Sequence, residues 1–222
     1  MKKIYHFTLA IILCSCLCGC LGCNPKSDAK NFDNEEVADD PQDDAAMAKG
    51  THLKFKGVPI DGDLETFVTR MKRAGFKHAG TTRDGAEVLE GDFAGHKDCT
   101  VYVSTLDNQD LVSNIMVVFQ AQDRWEYLYG DYKGLKQMLT EKYGKPSSCI
   151  EKFQDSFGVS DDRGKMYAVQ FDKCKYETRF TPDNGEIVLW IEHEGFSSCY
   201  VALSYFDDAN SNTMRQNAKD DL

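Results

Sequence analysis

The chain lacks every catalytic signature that short spacing can encode. No HExxH, no GxSxG, no glycine-rich phosphate loop and no dinucleotide fingerprint occurs in its 222 residues. This removes the zinc-protease, nucleophile-elbow and nucleotide-cradling chemistries that those motifs position. Positive charge is also short. Lysine and arginine number 26 against 36 acidic residues, and such a surface repels nucleic acid. The mostly apolar stretch at the start, Ile4 to Leu13, is too short to span a bilayer. Histidine is sparse: His6 lies in that stretch, and His52, His78, His96 and His193 are scattered with no metal-ligand spacing. No cofactor and no metal is expected. Asp61-Gly62-Asp63 and Asp107 to Asp110 offer oxygen ligands, but neither has the full spacing of a calcium loop, and both serve as a helix cap and a turn.

What is present begins with a targeting segment, residues 1–23. Lys2 and Lys3 form a charged start, the apolar stretch follows, and cysteines then stand at 14, 16, 18, 20 and 23. Leu13-Cys14-Ser15-Cys16 and Leu17-Cys18-Gly19-Cys20 both resemble the lipobox of bacterial lipoproteins, which implies lipidation at either Cys16 or Cys20. Both depart from the usual pattern at Cys14 or Cys18. Residues 24–50 read as an acidic tether, with Asp28, Asp33, Glu35, Glu36, Asp39, Asp40, Asp43 and Asp44 against three lysines. Its large apolar residues, Phe32, Val37 and Met47, are too few to offset the entropy of ordering it. Acidic residues soon after the lipid-bearing cysteine also resemble the surface-export signals of Bacteroidetes lipoproteins. Outward display and a periplasmic spacer are both consistent with that. Once Lys2 and Lys3 leave with the signal, 24 basic residues face 36 acids, a net charge of about −12 with histidine neutral. From Asp207 to Leu222 the apolar pattern is lost, so residues 207–222 read as a frayed tail.

Between these ends the pattern is α+β: a helix followed by an antiparallel meander, used twice in tandem. Residues 51–122 form the first unit. Asp63 caps a helix over Leu64 to Ala74, with Leu64, Phe67, Val68 and Met71 on one stripe and Gly75 as the stop. Strands are expected at Phe76 to Thr81, Ala86 to Phe93, Cys99 to Thr105 and Val112 to Phe119. Residues 123–206 form the second unit. Asp123 and Glu126 stand at capping-box spacing before a helix that runs to Tyr143, with Tyr132, Leu135, Met138 and Leu139 on its stripe. Cys149 to Phe153, Lys165 to Phe171, Lys175 to Phe180, Glu186 to His193 and Ser198 to Phe206 read as strands, with a loop over Gln154 to Gly164. Asn184-Gly185 suits a type I′ turn. In the repeat, VSNIMVVF aligns with GEIVLWIE and CTVYVST with CKYETRF, so Cys99 and Cys174 each open a third strand.

The folded region carries four cysteines, and an even count in an exported chain predicts two disulfides. Strand neighbourhood pairs Cys149 with Cys174 and leaves Cys99 with Cys199. Three connectivities are open on count alone.

Alternation identifies an interaction face. Lys175, Glu177 and Arg179 must face water, which marks the open side of the sheet, and the same side then holds Val188, Trp190 and Glu192, with Tyr200 and Ala202 beyond. Tryptophan, tyrosine and arginine dominate interface hot spots. Trp190, Tyr200, Arg179 and Tyr102 are the expected partner contacts. Two helix-and-meander units resemble the β-lactamase inhibitor protein fold over residues 53–206, and one unit is similar to the small lipoprotein of the outer-membrane β-barrel assembly machinery. The whole chain resembles a secreted Bacteroidetes lipoprotein. That resemblance implies a non-enzymatic, lipid-anchored envelope protein, membrane-bound through its lipid only, that grips an unknown envelope or surface protein. The rival expectations are a hydrolase or carbohydrate-processing protein using Glu151, Asp155, Asp161 and Asp162, and a purely structural envelope component.

Overall fold

The computed structural model describes residues 52–106, 110–154, 159–195 and 198–210. The lipidation candidates Cys16 and Cys20, the acidic tether and residues 211–222 lie outside them. In chain order the elements are β1 (Lys54–Phe55), β2 (Val58–Pro59), α1 (Leu64–Arg73), β3 (Lys77–Thr81), β4 (Glu87–Phe93), β5 (His96–Thr105), β6 (Val112–Val118), α2 (Trp125–Tyr143), β7 (Ser148–Phe153), α3 (Asp162–Gln170), β8 (Cys174–Phe180), β9 (Gly185–Glu194) and β10 (Ser198–Asp207). The class is α+β, with one large antiparallel sheet.

Eight strands form that sheet in the order β3-β4-β5-β6-β10-β9-β8-β7. Each meander runs inward from an outer edge, and the two meet where β6 pairs with β10. Rows of paired residues cross all eight strands, although the β3–β4, β4–β5 and β5–β6 ladders each shift register once. One row reads His78, Leu89, Val101, Val117, Leu203, Leu189, Thr178, Cys149. Its apolar members face the helices and are fully buried. Because side chains alternate, the neighbouring row (Glu90, Thr100, Val118, Ala202, Trp190, Glu177, Ile150) faces the other way. The helices α1, α2 and α3 pack on the first side. Phe67 and Met71 of α1, Leu128 and Leu135 of α2, and Met166 and Val169 of α3 join one core with Ile115, Leu189 and Leu203.

The helices start and stop for local reasons. The Asp63 carboxylate accepts from the Thr66 N–H at 2.8 Å and from its hydroxyl at 2.8 Å, as expected of a cap. Gly75 closes α1 at φ +98°. The buried stripe of α2 is Trp125, Leu128, Tyr132, Leu135 and Leu139. Met138 falls off it and is 42% exposed, because with 3.6 residues per turn it lies about 100° round the helix from the centre of that stripe. The capping box expected at Asp123 and Glu126 does not form. Arg124 occupies the cap position without a side-chain bond to the backbone.

The largest correction concerns residues 162–170, expected as loop and strand. They are helical. The Asp161 carboxylate accepts from the Gly164 N–H at 2.8 Å, and Met166 and Val169, three apart, turn to the core. Asp172 at φ +57° then reverses the chain into β8. A strand fewer changes the internal correspondence. By position in the sheet, β6 answers to β10 and β5 to β9, so the sequence pairing of VSNIMVVF with GEIVLWIE is one strand out of step. Cys174 opens the second strand of its meander, not the third.

Two smaller expectations also fail. At the β8–β9 turn the Gly185 N–H bonds the Pro182 carbonyl at 3.2 Å, and neither Asn184 nor Gly185 takes a positive φ, so no type I′ turn forms. Glycine is needed there for another reason: a Cβ would lie 2.1 Å from the Phe206 carbonyl oxygen and 2.6 Å from Leu53 Cδ1. Nor does the chain lose its packing at Asp207. That carboxylate is 0% exposed, accepts from the Leu53 N–H at 2.7 Å and meets His52 Nδ1 at 3.1 Å. Asn210 is buried beside it and donates to the Val112 carbonyl at 2.8 Å. These bonds clip the β1–β2 hairpin onto the end of β10, with Phe55 stacked on Phe93. His52, expected in solvent, belongs to this clip.

Candidate functional site

The side of the sheet that carries no helix among the described residues holds the four expected contact residues. Tyr102 (β5), Tyr200 (β10), Trp190 (β9) and Arg179 (β8) all point to it, but Tyr102 is buried at 8% exposure and the other three are half-buried. A row through the middle reads Val88, Tyr102, Met116, Ser204, Val188, Arg179. Trp190 stands opposite Ala202, and Tyr200 opposite Glu192, so indole and phenol are diagonal neighbours on adjacent strands. Apolar side chains join them: Val118, Met116, Val188, Ala202 and Phe206. Val188 and Ala202 are buried and Phe206 is 38% exposed. Alternation in the sequence already places Val188 and Ala202 here; Val118, Met116 and Phe206 were missed, although the period-2 pattern of β6 and β10 puts them on the same side.

The electrostatics of this surface are one-sided along β9. Its outward positions are Glu186, Val188, Trp190, Glu192 and Glu194, with no cation among them. The Trp190 indole N–H donates to Glu192 Oε2 at 3.2 Å, and the other oxygen of Glu192 accepts from the His193 N–H at 3.0 Å. The N–H edge of the half-buried indole is therefore held. Burial pushes the Tyr200 phenol well above its ordinary range, with Glu192 and Glu194 adding to the shift. Burial, then Glu194, moves Tyr102 the same way. Both stay neutral hydroxyls at any physiological pH. Arg179 is committed internally. Its Nε donates to Glu177 Oε1 at 2.8 Å and its Nη1 to Glu186 Oε1 at 3.0 Å. The Glu177 bond chiefly holds the guanidinium above its usual pKa. Its role is to order two carboxylates on the face rather than to offer a free charge.

Comparison with known proteins gives no match to a family model, to a curated protein or to a solved structure.

The expected disulfides are not formed. Cys99, Cys149, Cys174 and Cys199 are all free thiols. Register explains the first pair: Cys149 lies opposite Thr178, and Cys174 opposite Phe153, four residues along the ladder. Four residues of strand span roughly 13 Å, beyond the reach of a disulfide. β6 lies between the strands of Cys99 and Cys199. Both of those are buried, and burial pushes both thiols up. Burial pushes Cys174 up to about 12.

The acids of the rival hydrolase reading are spread among structural duties. Glu151 bonds Lys136 Nζ at 2.6 Å, Asp161 caps α3, and Asp162 pairs with Lys165 at 3.6 Å. Asp155 lies outside the described residues. A shallow cleft of about 330 Å³ between the start of α2 and α3 is lined by Asp123, Arg124, Asp162, Arg163 and Tyr167. It contains no nucleophile and base within bonding reach. Among the described residues no His, Cys, Asp and Glu cluster has metal-binding geometry.

Proposed function

We propose that this chain is a non-enzymatic, lipid-anchored envelope protein that binds a protein partner through the open face of its sheet. The observation that carries the reading is the convergence of Trp190, Tyr200, Tyr102 and Met116 on one helix-free side. The sequence reads it as a tandem repeat like the β-lactamase inhibitor protein fold, whose sheet grips another protein. The mirrored strand order about the β6–β10 seam supports that reading. Anchoring rests on the lipobox-like cysteines, Cys16 or Cys20, and the acidic segment after them suits a spacer.

The chemistry of the face selects the partner's sign. Glu186, Glu192 and Glu194 flank a half-buried tryptophan, and the whole chain is acidic. A partner that lays an arginine or lysine on Trp190 gains both cation–π and charge-assisted contacts. Charge complementarity of this kind speeds association and makes binding salt-dependent.

The test is a capture of envelope proteins by the full chain beside Trp190→Ala, over a salt series. Wild type should retain a basic protein that the variant loses, by a hot-spot amount of about 2 kcal/mol or more, near 30-fold in affinity. Circular dichroism of the variant should be unchanged. Unfolding by Trp190→Ala would make the indole a packing residue and end the reading. Equal retention by both proteins would also end it.

A further inference from the structure

On the helix side of the sheet, away from the proposed binding face, one thiol differs from the other three. Cys149 is exposed on the edge strand β7, and its side chain points toward α2. There Lys136 Nζ lies 3.2 Å from its sulfur and 2.6 Å from Glu151 Oε1. The Thr178 hydroxyl is 3.5 Å from the same sulfur, and Tyr132 bonds that hydroxyl at 2.6 Å from beneath. Four side chains from three elements thus fix a sulfur against a primary amine. Lys136 and Glu151 are little more than a quarter exposed. The amine is held within van der Waals range of the thiol while oxygen has access from solvent.

We propose that Lys136 and Cys149 form a reversible covalent redox cross-link, a bridge in which one oxygen atom joins the lysine nitrogen to the cysteine sulfur. The co-reactant is dioxygen. One S–H and two of the three N–H bonds of the ammonium break, the O–O bond is cleaved, and S–O and O–N bonds form, so the bridged nitrogen keeps one hydrogen. Thiol, ammonium and dioxygen give the bridged product, one water and one proton. Sulfur gives two electrons and nitrogen two, the four that dioxygen needs to become one bridging oxygen and one water. Glu151, bonded to the ammonium, is placed to take the released proton. Thiol reductants reverse the step, returning free cysteine and lysine with loss of the oxygen as water. The bridge would staple α2 to the edge strand.

Partial burial works against the ammonium, but its bonds to Glu151 and Cys149 outweigh this and hold it above its ordinary pKa. The ammonium must lose a proton before its nitrogen can bond to oxygen, so bridging should accelerate toward alkaline pH.

Intact mass and peptide mapping of the full chain decide the matter, after incubation in air-saturated buffer and again after dithiothreitol. The expected product is heavier by one oxygen and lighter by two hydrogens. It joins the peptide containing Lys136 to that containing Cys149, and reductant reverts it. Lys136→Arg, which keeps the charge and lacks a primary amine, should abolish the product, and so should Cys149→Ser. The buried Cys99 and Cys199 serve as internal controls. A mass gain of whole oxygens on Cys149 with Lys136 still open to amine labelling would overturn the proposal. So would a linked product that persists in Lys136→Arg, or no mass change at all.

Discussion

Removing the Tyr132 hydroxyl gives the sharpest test of how α2 is held on the sheet. Tyr132 and Thr178 are both fully buried, and their hydroxyl oxygens are 2.6 Å apart. The Thr178 hydrogen faces Cys149 Sγ, so Tyr132 donates to Thr178. Burial above all raises the Tyr132 phenol, which therefore holds its proton. Tyr132→Phe deletes one buried hydrogen bond and leaves the threonine oxygen short of a donor. Together these amount to about 1–3 kcal/mol. Thr178→Val leaves the phenol with no acceptor and should cost a similar amount. The double variant removes both polar groups, so its loss should be close to that of one single change. The coupling is then about 1 kcal/mol or more. Urea unfolding reads it directly. With a slope of roughly 2 kcal/mol/M, each single variant should lower the midpoint by about 0.5–1.5 M. Strict additivity of the two losses would show that the hydroxyls do not act on each other, and the reasoning would be wrong.

Other predictions follow from contacts already described. Gly185→Ala should destabilise by about 1–3 kcal/mol in urea unfolding, since backbone of β10 must move to admit a methyl group; an unchanged midpoint would mean that the Leu53–Phe206 contact is loose. Asp207→Ala should cost roughly 3 kcal/mol by stranding the buried Leu53 and Asn210 N–H groups, and hydrogen exchange at Leu53 should rise first. His193 has a raised pKa: partial burial opposes the shift, but the Gly195 carbonyl and Asp172 more than offset it. Its contribution is present in full below the unfolded value near 6.5 and fades as pH rises through the folded value. Imidazole resonances should titrate above 6.5, and Asp172→Asn should bring the midpoint down; an unmoved midpoint would remove Asp172 from the pair.

Legibility in the sequence tracked how local each cause was. Asp63 caps α1 through a residue three away, and Gly75 stops it at once, so that helix could be placed from its own letters. β6 and β9 alternate cleanly, and the same alternation put Trp190, Tyr200, Arg179 and Tyr102 on one face. Residues 162–170 misled because Met166, Ala168 and Val169 suit a strand as well as a short helix. What decides is the Asp161 cap and the room over β8 and β9, a tertiary fact. That one substitution of helix for strand displaced the internal alignment and, with it, the expected neighbour of Cys149. Capping at Asp123 failed for the opposite reason, because spacing alone does not force a side chain to close on the backbone. The Lys136, Cys149 and Glu151 group could not be seen at all. Its members become neighbours only once α2 lies across the edge strand.

The seam between β6 and β10 also orders events in time. Val118 pairs with Ala202 and Asn114 with Phe206, so the centre of the sheet is closed by β10, which is made after every other described strand. Until then the first meander presents β6 as a bare edge whose inward residues are Val112, Ile115 and Val117, the pattern of a self-pairing template. Contacts so distant along the chain make for slow closure. A nascent or partly threaded chain is thus a set of incomplete sheets, vulnerable to pairing with its own copies until the ten residues of β10 cover that edge.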